Sequence, residues 1–406
     1  MDLAVLNEEE LVKKEIKIYF AIIALTAFGL GLTNNVISNY FKDAYQVTAY
    51  QRGFLEFPRE LPGLIGIFVI AGLSFLSDIR IAIVAQMLSF IGIIVLGLST
   101  PSFNVMMIFI FINSMGMHLF FPLQDSIGLE LAEKDQIGKR LGQFKGFFTG
   151  VQMLASMFVF LGFRAGFMSF ETQFKSPFVI AGILFLVVMI LLIVLDRRVS
   201  GGKPHVKQNG YVFRKAYKYY YVLIILFGVQ KQIMMVYGPW VLIELLNKKA
   251  DTISLLTVIG SFIGIFFIPA IGNWLDRYGV KKLLFWDAIS FIGVYFIYGF
   301  LSMGYVNGTL KTFGVGALLA YAIFIIDRMS TQMGLVRTVY LRKIAVLPSD
   351  ITPTLTLGQS MDHFVSILCA FAGGIIWSAW GPQYIFFITG ALSFINLYVA
   401  FKVEVE

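Results

Sequence analysis

The chain has 406 residues, of which 58% are hydrophobic and 14% charged, with a net charge of +8 and a mean hydropathy of +0.80. Water-soluble domains carry about a quarter charged residues, so this composition excludes a soluble globular protein and makes lipid the solvent. The single cysteine, Cys369, excludes an internal disulfide, and the scattered His118, His205 and His363 lack metal-ligand spacing, so no metal or other cofactor is expected.

A bilayer core about 30 Å thick takes about 20 apolar helical residues to cross. Crossings are predicted at 17–41, 52–76, 79–99, 103–131, 141–164, 177–195, 217–246, 253–271, 282–303, 312–340, 354–380 and 383–402. Barrel strands would alternate over about ten residues, whereas Ile180 to Leu195 is continuously apolar apart from glycine. The expected fold is therefore all-α, with twelve transmembrane helices. The first apolar stretch follows the charged run Asn7 to Lys17 and exceeds the roughly 7–15 residues of a cleavable signal, so helix 1 is expected to be retained.

Between the sixth and seventh crossings lies the one long polar, basic and glycine-rich segment, Arg197 to Lys218. It divides the chain into an N-terminal six-helix bundle (1–196), a linker (197–216) and a C-terminal six-helix bundle (217–406). The halves echo one another. Met115-Gly116 precedes Leu141-Gly142-Gln143 much as Met333-Gly334 precedes Leu357-Gly358-Gln359, and internal symmetry of this kind marks transporters built from repeated bundles.

Positive loops stay on the cytoplasmic side. With both termini inside, the inside segments hold 22 of the 32 lysines and arginines and the outside segments 7, which predicts a multi-pass protein of the cell membrane with cytoplasmic termini and linker. Basic surplus gathered on one face is a topology signal, and it excludes nucleic acid as the expected partner.

The sharpest local motif runs from Gly272 to Lys282, after crossing 8. It reads G-x-x-x-D-R-x-G-x-K-K, carried by Gly272, Asp276, Arg277, Gly279, Lys281 and Lys282, and Asp78 and Arg80 keep part of it in the equivalent turn of the first half. Here the sequence resembles the major facilitator superfamily. The resemblance implies two six-helix bundles in pseudo-twofold arrangement and a cavity lined by helices 1, 4, 7 and 10. It also implies that Asp78 and Asp276 each face a helix N-terminus of the opposite half, where an anion meets the helix dipole, as cytoplasmic gate contacts. Drug-exporting members carry an arginine in helix 4 and a Gly-Pro pair in helix 5. Here helix 4 has His118 and Asp125 and helix 5 reads Thr149 to Ser156 without proline, which argues against proton-driven drug efflux.

Charge in hydrocarbon costs a few kcal/mol per group, so an ionisable side chain within a crossing is a site hypothesis by default. His118, Lys231, Asp327 and Arg328 fall near the middle of crossings 4, 7 and 10, and Asn34 and Asn35 lie nearer the outside in crossing 1. Thr331 shares a helical face with Asp327, and Gln152 lies on a polar stripe of crossing 5 with Lys145, Thr149 and Ser156. The eight form the expected substrate site, with a Lys231–Asp327 ion pair between helices 7 and 10 as the purely structural alternative. Glu56, Arg59 and Glu60 share one face of helix 2. Two carboxylates on one guanidinium suggest a proton carrier or a gate network. Asp125 is a further coupling or gate candidate, as are Asp362 and His363 near the inner end of helix 11.

The function read from these features is secondary active transport of a small solute by alternating access, an organic anion if Lys231 and Arg328 outweigh Asp327, or a sugar-like ring. A proton or other ion gradient is the expected drive, since no phosphate-cradling G-x-x-x-x-G-K-[ST] is present. Alternatives are a drug or metabolite antiporter and a lipid flippase or receptor of the same fold. An enzyme is not expected, because no catalytic constellation accompanies the short loops. The expected partners are the solute, protons and membrane lipids, with the chain acting as a monomer.

Overall fold

Every long apolar run of the sequence is helical. The computed structural model describes residues 3–131, 137–199 and 212–404; residues 200–211, most of the expected linker, lie outside them. Among the described residues there is no strand. The helices are α1 (Leu3–Asn34), α2 (Ile37–Tyr45), α3 (Ala49–Phe54), α4 (Glu56–Gly72), α5 (Asp78–Leu98), α6 (Phe103–Glu130), α7 (Ile137–Arg164), α8 (Ser176–Arg198), α9 (Lys218–Trp240), α10 (Ala250–Val306), α11 (Val315–Gln332), α12 (Gly334–Ile344), α13 (Ile351–Ala379) and α14 (Pro382–Lys402).

These make twelve crossings, because α10 is two helices joined at Gly279, whose φ of 76° lies in the left-handed region that favours glycine. The motif turn is therefore a sharp corner at its second glycine, with Asp276 and Arg277 still helical. Crossings 1, 2 and 10 are interrupted, and each break has a local cause. Asn35 turns its amide onto the Gly31 carbonyl (2.8 Å) between α1 and α2, diverting a backbone acceptor from the ladder. Pro58 has no N–H for the Phe54 carbonyl, and the chain breaks at Leu55 between α3 and α4. Met333 donates to Ser330 in a tightened turn (3.0 Å) where α11 passes to α12. Nine stretches among the described residues are long and apolar enough to cross a membrane unaided, and the interrupted crossings 2 and 10 are not among them.

The chain packs as two compact units, Met1–Ile37 with Pro62–Lys207, and Ser38–Leu61 with Gln208–Glu406. Residues 38–61, which precede the linker, thus belong with the C-terminal half. In the first unit a core of Tyr19, Ile23, Ala82, Leu119, Leu123 and Leu192 joins α1, α5, α6 and α8. In the second, Tyr217, Leu223, Ile271, Leu283, Val336 and Val399 join α9, α10, α12 and α14. Large apolar side chains such as Phe68, Leu318 and Phe401 stand exposed, as lipid-facing residues should.

The second unit is also stapled by ions. Arg337 of α12 donates to Asp287 of α10 at 2.6 Å, donates to the Leu223 carbonyl at 3.3 Å and lies over the Phe227 ring, with both charged side chains 1% exposed. At the linker's end, Arg214 and Tyr217 both donate to Asp350 (2.6 Å each), and the hydrogen bond that Arg214 gives to Asp350 holds the Arg214 pKa above its usual value.

Candidate transport site

The outer part of crossing 2 lies against α13 at backbone distance. A Cβ on Gly53 would sit 2.3 Å from the Ala370 carbonyl oxygen, so only glycine allows the approach. Small residues serve helix contact in lipid this way. Tyr237 of α9 donates to the same Ala370 carbonyl (2.5 Å), fixing α3, α9 and α13 as one frame.

That frame gathers a line of charges. Glu56, fully buried, accepts from Arg52 at 2.5 Å and from Arg59 on one oxygen, and from Gln232 of α9 at 3.0 Å on the other. Arg52 also donates to Ser38 at 3.2 Å and lies over the Phe41 ring. Next along the line, Glu60 meets Nδ1 of His363 at 2.9 Å. Beside His363, Asp362 accepts from Lys231 of α9.

Access is graded along this line. The Arg52 and Glu56 side chains are 1% and 0% exposed, those of His363 and Glu60 are 13% and 9%, and those of Lys231 and Asp362 are 25% and 17%. At the closed end both Glu56 oxygens are bonded, as a buried carboxylate requires, while Arg52 Nε is buried without a partner. At the open end the second Asp362 oxygen, Oδ1, is buried without a hydrogen bond. A partly accessible ion pair with spare acceptor capacity is able to exchange partners with a proton or a solute group.

Several expected relationships change. Arg52 joins Arg59 on Glu56, and Glu60, still in the field of Arg59, also meets His363. Lys231 pairs with Asp362, in place of Asp327. Asp362 and His363 stand near the middle of α13 rather than at its inner end, opposite the mid-helix Lys231. Arg52 and Gln232 were not singled out in the sequence: Arg52 reads as an outside-loop residue before crossing 2, and Gln232 carries no charge to mark it. An amide in an apolar run, next to Lys231, was the available signal.

Asp327 is buried in α11 with its Oδ1 unbonded, while Arg328 lies over the Phe324 ring and Thr331 donates to the Asp327 carbonyl at 2.9 Å. In the first unit, Asn35 donates to Ser156 at 2.7 Å, Ser156 donates to the Gln152 carbonyl at 3.0 Å, and Asn34 is exposed. His118 Nδ1 lies 2.9 Å from the Ser114 carbonyl and 3.1 Å from its hydroxyl. Asp125 pairs with Lys145 at 3.3 Å on the exposed surface. Asp78 accepts from Ser126 of α6, and Arg80 reaches Asp196 at 3.1 Å.

Twelve helical crossings, with charged and amide side chains near the middle of several of them, define a multi-pass membrane protein built around polar groups. The Major Facilitator Superfamily model matches residues 19–342, and the chain belongs to that family. No curated protein sequence matches the chain. Among solved structures it is similar to a mutant form of the nucleoside transporter NupG (15% identity, 95% of this chain and 99% of that one, TM-score 0.76). It is also similar to a D-xylose-proton symporter (15%, 95% and 96%, TM-score 0.70) and to a POT family transporter in complex with a thioalcohol-conjugated peptide (12%, 96% and 95%, TM-score 0.75). At these identities the likeness is one of fold.

Proposed function

We propose that the protein is a proton-coupled secondary transporter of a small, uncharged polar solute of the sugar or nucleoside class, working by alternating access in the cell membrane with both termini cytoplasmic. The observation that carries this reading is the adjacency of the Lys231–Asp362 and His363–Glu60 pairs at the accessible end of the charge line. Imidazole and carboxylate are the groups that trade protons in membrane carriers, and here they stand in contact.

Lys231 is neutralised by Asp362, which removes the positive surplus that favoured an organic anion. Hydroxyl-rich solutes fit a site that offers paired ions and amides, and the nucleoside transporter and the xylose symporter among the similar structures support that class. His118, Asn35 and Gln152 in the first unit, with Asp327 and Arg328 in the second, remain the proposed solute contacts.

The test is uptake of labelled sugars and nucleosides into proteoliposomes, with an acid-outside gradient and with that gradient collapsed by a protonophore. Accumulation above equilibrium only in the first condition is expected. Equal uptake in both would remove proton coupling, and saturable uptake of organic anions alone would return the substrate to that class.

A further inference from the structure

The corner at Gly279 opens a groove that the transport reading does not use. It has a volume of about 560 Å³ and lies between the two arms of α10 and the last turn of α12, within the roughly 300–1,000 Å³ of small-ligand sites. Its floor includes Val280 and Val339, and its walls carry Lys281, Lys282 and Lys343, all three exposed. One carboxylate, Asp276, shares the wall. Among the described residues no carboxylate lies within ion-pair distance of Lys281 or Lys282.

Beside the groove is an aromatic cluster. Tyr278 packs on Trp286 with ring centroids 5.1 Å apart, Trp286 meets Trp274 at 6.4 Å, and Trp286 is 42% exposed. Tryptophan and tyrosine gather at the depth of lipid headgroups. The groove therefore combines an apolar floor, a cationic wall and an interfacial level, which is the chemistry of a phospholipid carrying net negative charge and not of a soluble anion in bulk water.

We propose that this groove is a binding site for the headgroup phosphate of an anionic phospholipid, held by Lys281, Lys282 and Lys343 with its acyl chains along the exposed apolar face of α10. Basic pockets between transmembrane helices hold anionic headgroups in this manner. The site is separate from the charge line on α4, α9 and α13, and it stands whether or not the proton-coupling reading does.

The full-length protein in detergent is exposed to phosphatidylglycerol or phosphatidylcholine, and retained lipid is counted by native mass spectrometry. The comparison variants are the triple Lys281→Gln/Lys282→Gln/Lys343→Gln and, as a charge-matched control at the opposite end of the same unit, Lys248→Gln/Lys249→Gln/Lys311→Gln. Phosphatidylglycerol is expected to be retained over phosphatidylcholine, with affinity falling about fivefold for each groove lysine removed and unchanged in the control. Thermal unfolding of each variant without lipid checks that the fold is kept. Equal retention of the two lipids, equal loss in groove and control variants, or displacement of the lipid by millimolar glycerol phosphate would each overturn the proposal, the last by showing a site for soluble phosphate.

Discussion

The His363 imidazole meets the Glu60 carboxylate at 2.9 Å although 303 positions separate them in the chain. The contact joins the outer part of crossing 2 to the middle of crossing 11, and it sets an imidazole against a buried carboxylate. Coupling requires that such a pair change charge during the cycle, whereas exchange of solute for solute does not. Glu60→Gln and His363→Gln are each expected to lose gradient-driven accumulation in proteoliposomes and to keep counterflow exchange. Equal loss of both activities would make the pair a gate contact only.

Lys231 and Asp362 form the accessible end of the same line. Removing one ion of a partly buried pair strands the other, while replacing both with apolar groups of similar size is often tolerated. Lys231→Ala and Asp362→Leu are therefore expected to lower the melting temperature and abolish transport. The double variant Lys231→Met/Asp362→Leu should regain the melting temperature and remain inactive. Transport by the double variant would show that the pair is structural.

How much of this was legible beforehand follows from what each feature costs. The crossings were readable because hydrophobic length is dictated by bilayer thickness, and Glu56, Arg59, Glu60, Lys231, Asp362 and His363 stood out because ions in an apolar run are expensive. Pairings were not readable. Asp327 was the acceptor expected for Lys231, and only the depth and rotation of α9 against α13 bring Asp362 to it instead. The break at Leu55 had Pro58 as its signal, but a proline near the start of a crossing is also tolerated in its first turn and so did not by itself mark a break. The association of residues 38–61 with the C-terminal half is a matter of packing that no linear pattern carries.

Gly228 lies on α9 one turn before Lys231, and a Cβ there would be 2.8 Å from Asp362 Oδ1. Gly228→Ala would press the carboxylate away from its seat beside Lys231. The expected result is a severalfold lower initial uptake rate in a protein that still purifies as a single species, with Gly272→Ala, where nothing lies within 4 Å, as the control. An unchanged rate for Gly228→Ala would mean that the position of Asp362 is not critical.

The Arg337–Asp287 pair is the most deeply buried ion pair of the second unit after Arg52–Glu56. Arg337 Nη1 and Asp287 Oδ1 are buried without hydrogen bonds, so the pair is enclosed at a cost and cannot easily lose a member. Arg337→Ala is expected to destabilise the protein by about 3–5 kcal/mol in a detergent unfolding titration. Arg337→Met/Asp287→Leu should recover most of that loss. A single variant within about 0.5 kcal/mol of the wild type, the range of an ordinary surface substitution, would contradict the burial argument.

Lys175 gives a pH dependence whose sign is fixed by linkage. The residue precedes α8 and is 1% exposed; its ammonium donates to Thr100 and to the Gln173 carbonyl at 3.2 Å, and no carboxylate pairs with it among the described residues. Burial pushes its pKa below the usual lysine value, so the unfolded chain binds this proton more tightly than the folded one. The resulting penalty on folding is full below the folded pKa. It fades as pH rises toward the ordinary value of about 10.4, because stability increases with pH wherever the unfolded state holds more protons. Lys175→Met removes the penalty along with two hydrogen bonds, and the lost bonds shift stability by a constant. Whatever that offset, the melting temperature of the wild type should gain on that of Lys175→Met as pH is raised from 7 to 10. A gap that stays flat across this range would show that Lys175 keeps an ordinary pKa and is solvated in the folded protein.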